Sequence, residues 1–194
     1  MQGKNAAGLY PSLRHPDSDV RWKAAHELMA LYVAGERIPS SVLAMAFNIL
    51  NGRAFDLEEP QEVRAACQND LEKAIDAGIE KLVSVESVIS DIASKEAIVR
   101  VLAIENLIIA CEYGEDIAGA FPALLRALSD RDAAVRKNAA FAFVIAAEHG
   151  LEFPDATRKL SALASEDAEE DVRAFAKAAV DTLERMKEGK KAYG

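Results

Sequence analysis

The sequence predicts an all-α chain folded as a right-handed α-solenoid (an alpha-alpha superhelix) of about five helical hairpins. Three observations predict it. The dipeptide Val-Arg recurs at Val20-Arg21, Val63-Arg64, Val99-Arg100, Val135-Arg136 and Val172-Arg173, at intervals of 43, 36, 36 and 37 residues. With each Val as position 0, position 4 is always small (Ala24, Cys67, Ala103, Ala139, Ala176). Position 8 is always a larger apolar residue (Leu28, Leu71, Leu107, Phe143, Val180). Positions 0, 4, 8 and 11 fall on one stripe of an α-helix, and the small residue lets a second helix approach closely. A fixed period of this size is the signature of a repeat array.

Each repeat is read as a first helix A, a polar turn and a second helix B carrying Val-Arg. The A stretches are AGLYPSLR, PSSVLAMAFNIL, IEKLVSVESVISDIA, IAGAFPALLRAL and PDATRKLSALA. The turns HPDSD, EEPQE, SKEAI, SDRDAA and SEDAEED carry the Asp, Ser and Pro expected at helix N-termini, where side-chain oxygens cap free N–H groups. Gly35, Gly78, Gly114 and Gly150 follow the first four B helices, where a left-handed cap favours glycine. No stretch shows sustained strand alternation. The repeats are placed at about 5–35, 36–77, 78–114, 115–150 and 151–188, with a single array over 9–186. Residues 1–8 are expected to be a loose N-terminus and 187–194 a loose basic tail. The last B helix has small or polar outward residues such as Lys177 and Asp181, as a capping repeat requires.

The segment from Phe121, FPALLRALSDRDAAVRKNAAFAFVIAA, resembles the HEAT-repeat family, and more closely its short variant named after phycobilisome lyases. The segment LYPSLRHPDSDVRWKAAHELMAL in the first repeat matches nearly as well. EEPQEVR has one residue fewer in its turn than that pattern, and SEDAEEDVR two more. The resemblance covers about residues 9–186, and it implies fold more strongly than function. It implies that the B helices line a concave side, and that the repeated arginines are a structural ladder pairing with turn acids such as Asp17, Glu58, Asp132 or Asp167.

Composition narrows the function classes. The chain has 194 residues with a net charge of −9, and 51% of them are hydrophobic. The charge argues against a dedicated nucleic-acid binder, whose footprint is basic. No apolar run reaches the length of a membrane span, and MQGKNAAGLYPS lacks the pattern of a signal peptide. The two cysteines, Cys67 and Cys111, form no disulfide framework and suit a reducing, cytoplasmic setting.

Catalytic and metal-binding constellations are sought and not found. Of the three histidines, His26 stands next to Glu27, the kind of pair that recurs across the repeats of a HEAT-like di-iron hydroxylase family. The other repeats offer no counterpart, and one pair does not make a metal site. Cys67 sits at the small core position of its helix, and no glycine-rich phosphate loop is present. No catalytic residue, cofactor or metal is expected.

The face opposite the core stripe, at positions 2, 6, 9 and 13 of each B helix, is the candidate site. A merely solvated face is polar nearly throughout. This one bears Trp22, His26, Met29 and Val33, and Glu72 and Asp76 in the second repeat. It continues with Val101, Glu105, Ile108 and Glu112 in the third repeat, and Lys137, Phe141, Val144 and Glu148 in the fourth. The last repeat adds Asp181 and Arg185, and the face carries a net charge of −4. Two readings follow: either the apolar members pack between neighbouring repeats, or they form an apolar floor with an acidic rim. The second reading implies a protein-interaction scaffold whose partner offers a basic or amphipathic segment, with Trp22 and Phe141 as anchors. By resemblance, the alternative is a bilin lyase or chromophore-handling, chaperone-like protein acting on phycobiliprotein-type partners. A DNA glycosylase of HEAT-like type would want a basic channel, which this face does not offer.

Overall fold

The computed structural model describes residues 6–192, and every side chain among them except those of residue 81 and residues 189–192. It is all-helical, with no strand among the described residues. Among the described residues there are nine α-helices: α1 (Ser18–Val33), α2 (Ser40–Phe55), α3 (Gln61–Asp76), α4 (Val85–Asp91), α5 (Ala97–Glu112), α6 (Phe121–Ala127), α7 (Ala133–Glu148), α8 (Pro154–Glu166) and α9 (Glu170–Ala192). Short 3-10 helices occupy Ala6–Arg14, Ile79–Lys81 and Ala118–Ala120. The five B helices are α1, α3, α5, α7 and α9, and each starts two residues before its Val.

The contacts divide the chain into two compact units, one through Asp91 and one from Ile92. The boundary falls inside the third repeat. Its A helix, α4, has seven residues with only Val88 buried, and it packs on α2 in the first unit. Asp91 also accepts the Ser41 backbone N–H at the start of α2, at 2.7 Å. In the first unit α1 packs on α2 and the first 3-10 helix, and α2 on α3; in the second, α7 packs on α5, α6 and α9, and α9 on α8. Each unit is thus a stack of helical hairpins, the architecture of an α-solenoid.

The core stripe is where the period places it. Position 4 is buried in every repeat, and Val99, Val135 and Val172 are buried, whereas Val20 and Val63 are half-buried. All four predicted cap glycines have positive φ, from 77° to 92°, a conformation that costs a Cβ-bearing residue energy. At Gly35, Gly114 and Gly150 the flanking amides reach back to two orphan carbonyls, as in Gly114 N–H to Cys111 O and Glu115 N–H to Ala110 O, both 2.9 Å. Both cysteines are buried and free, and burial pushes both thiols up in pKa.

Residues 1–5 and 193–194 lie outside the described residues, but Ala6 is already buried in the first 3-10 helix. From Lys187 to Ala192 the backbone continues α9 as helix. The first A helix is 3-10 rather than α, with Pro11 inside it, where no N–H is available for an α-helical bond.

Candidate functional site

The repeated turn organises the arginines. In four repeats the residue two before the N-cap accepts the N-cap N–H: His15 Nδ1 from Asp17 (3.1 Å), Ser94 Oγ from Glu96 (3.3 Å), Asp130 Oδ1 from Asp132 (2.9 Å) and Asp167 Oδ1 from Glu169 (3.0 Å). This folds the next two carbonyls towards the helix, and the Val-Arg arginine donates to both. Arg21 reaches the carbonyls of His15 and Pro16, and Arg100 those of Ser94 and Lys95. Arg136 takes those of Asp130 and Arg131, and Arg173 those of Asp167 and Ala168.

Two of these arginines also tie neighbouring hairpins within the second unit. Arg100 meets Asp130 at 2.8 Å, and Arg136 meets both carboxylate oxygens of Asp167 at 2.8 Å. Burial pushes the Asp130 carboxyl up, but the Arg100 and backbone hydrogen bonds outweigh it and hold it below the usual range. The Arg136 hydrogen bonds hold Asp167 below its ordinary value against the opposing effect of burial. Of the acids expected to pair with the arginines, only Asp167 does so with its side chain among the described residues. Asp17 and Asp132 instead cap α1 and α7, and Glu58 is not an arginine partner. In the first unit the linking arginine is Arg53, near the end of α2, which holds Glu59 at 2.6 Å and Asp19 at 2.9 Å. Arg53 lies outside the Val-Arg register, so the repeat gave no reason to look there.

The candidate face divides between the units. In the first, Trp22 is half-buried beneath Arg53, whose guanidinium carbon lies 5.4 Å from the ring centroid. Its Nε1–H is buried without a hydrogen-bond partner among the described residues. His26 is exposed, and its Nδ1 meets the buried Asp70 of α3 at 2.5 Å. Asp70 was missed because it falls at position 7, beside the core stripe. Met29 is buried, whereas Val33 and Glu72 are exposed.

In the second unit Val101, Ile108 and Val144 are all buried. A central B helix is flanked by an A helix and by B helices, so burial spreads well beyond one stripe; α7 has ten buried residues of its sixteen. The expected apolar floor is therefore largely packing between helices. What this face still presents is Phe141, half-buried against Phe175 of α9 with centroids 5.1 Å apart, together with half-buried Glu105 and exposed Glu112 and Glu148. Lys137 reaches Asp171 of α9 at 3.4 Å. Phe175 was not among the expected residues; it sits at position 3, next to the face but off its register.

Among the described residues no group of three or more His, Cys, Asp or Glu side chains is placed to hold a metal, and no helix is long and apolar enough to cross a membrane. The HEAT repeat family matches residues 120–150, the stretch holding α6, the Asp130–Arg136 turn and α7. The chain contains a HEAT repeat. Within that HEAT repeat lie Val135, Arg136, the cap at Asp132 and the glycine turn at Gly150, and the same turn bonds recur around Arg21, Arg100 and Arg173. No curated protein matches the sequence. A solved structure, titled as an engineered protein, is similar over 93% of this chain and 97% of its own, with 17% identity and a TM-score of 0.35, too distant to carry an argument.

Proposed function

We propose that this chain is a non-catalytic interaction scaffold, and that the B-helix face of the second unit takes a segment of a partner protein bearing basic residues around one apolar side chain. HEAT repeats generally serve as protein-interaction scaffolds. The observation that carries the reading is Phe141: a large ring still partly open on a face whose other apolar members are buried, with Glu112 and Glu148 exposed on that same face. An aromatic ring rimmed by carboxylates favours an apolar anchor flanked by Lys or Arg. Acids at a rim act chiefly on association rate, and an anchor on dissociation rate.

The test is capture of binding proteins from the source cell by the intact chain, followed by kinetics on the captured partner. Phe141→Ala is expected to raise the dissociation constant about tenfold, within the usual range for an interface anchor. Glu112→Lys with Glu148→Lys is expected to slow association and flatten its salt dependence. Circular dichroism establishes that both variants are folded. Partners that bind wild type and both variants alike would remove this face from consideration.

A further inference from the structure

Four of the five turns close in the same way, and the second departs for a reason visible in the sequence. Its N-cap is Pro60, which has no N–H. Glu58, two residues earlier, therefore has no N-cap donor to accept. The turn closes earlier instead: Asp56 Oδ1 accepts the Glu58 N–H at 2.9 Å, and the Asp56 carbonyl accepts the Glu59 N–H at 3.3 Å. The two carbonyls that hold the arginine in the other repeats are not gathered for Arg64. Among the described residues the Arg64 side chain has no hydrogen-bond or ion-pair partner.

The freed guanidinium lines an open pocket of about 330 Å3. One wall is a stripe of α3 formed by Gln61, Arg64, Ala65 and Gln68; the other is Phe55 and Leu57. Those two are the most exposed large apolar residues of the first unit, at 69% and 87%. Arg64 is the one charged residue lining the pocket. Glu59 is held by Arg53, and Asp56, Glu58 and Glu62 do not line it. A planar guanidinium with open donors selects a carboxylate, and adjacent exposed apolar side chains select an apolar neighbour. The pocket opens to solvent, which suits a segment of chain better than an enclosed small molecule.

We propose that this pocket binds a segment of a partner protein carrying an Asp or Glu next to a large apolar residue, with the carboxylate on Arg64 and the apolar side chain against Phe55 and Leu57. It is a second surface and does not depend on the Phe141 face.

The test uses the full chain and three synthetic probes: acetyl-Leu-Glu-Leu-amide and its Gln and Lys counterparts. Binding is read from the side-chain N–H resonances of Arg64, Gln61 and Gln68 in proton–nitrogen correlation spectra. The Glu peptide is expected to give saturable shifts there and to bind about tenfold more tightly than the Gln peptide. Arg64→Gln is expected to abolish that difference, and Phe55→Ser with Leu57→Ser to weaken both peptides alike. All three positions are at least half-exposed or partnerless, so unchanged melting is expected in the variants. Equal affinity for the Glu and Gln peptides by wild type overturns the proposal, as does preference for the Lys peptide, since the outer acids would then select the ligand. Because the peptide comparison is made on wild type, it stands even if a variant fails to fold.

Discussion

Val135 and Lys137 lie two residues apart on α7, yet one is fully buried and the other reaches an exposed carboxylate of α9. A carboxylate forced into the Val135 site has no partner, so Val135→Asp is expected to cost several kcal/mol. Lys137→Glu places like charge near Asp171 at a solvated edge and is expected to cost at most about 1 kcal/mol. Thermal melts of the two variants check the contrast, and comparable losses would show the register to be wrong. Gly114 gives a cleaner backbone case. Its φ is 85°, and nothing lies within 4 Å of where a Cβ would sit, so Gly114→Ala meets no steric neighbour. The expected loss of about 1 kcal/mol is then a cost of the left-handed backbone alone. Gly52, inside α2 with equally open surroundings and an ordinary φ, is expected to gain stability on the same change. Denaturant melts of the pair read the two opposite signs.

The turn between A and B helices shapes the acid response. Asp130 and Asp167 titrate below their ordinary range in the folded chain. The folded state therefore binds fewer protons than the unfolded chain near their unfolded pKa of about 3.9. Their contribution to stability is complete above that value and is lost as pH falls through the depressed folded values. Melting temperature is expected to fall from pH 5 to pH 3, and Asp167→Asn to flatten part of that slope while lowering stability at pH 7. The helical pattern was legible at this scale because period, small residues and cap glycines all pointed to the same stripe. The turn bonds were less legible. His15, Ser94, Asp130 and Asp167 share a geometric job but not a residue type, so no single-letter pattern marks it. Pro60 was visible in the sequence, but its missing N–H mattered only once the other four turns were known to use theirs.

At the scale of the whole chain, the division into two units follows from unequal helices. In the second unit α7 is packed by neighbours on several sides, whereas α4 in the first has seven residues and one buried side chain. Local opening is expected to be easiest where few apolar groups must leave the core. Amide hydrogen exchange is thus expected to be fastest among the α-helices in α4 and slowest in α7, and strong protection of α4 would contradict this. The candidate face was harder to read than the fold. Apolar residues at positions 2 and 9 look alike in sequence whether they face solvent or a neighbouring helix. Only the packing of α5 and α9 against α7 separates buried Ile108 and Val144 from the partly open Phe141.

The two thiols lend themselves to a direct use of that division. Cys67 is buried in the first unit and Cys111 in the second, and neither is bonded to the other. Alkylation needs an accessible thiolate, which burial withholds from both. A maleimide added in excess therefore waits for an opening, and each modified cysteine records which half of the chain let it in. Peptide mapping of the adducts over time yields two unfolding clocks from the natural sequence. If the halves open together, the clocks run at one rate; if they open separately, they diverge.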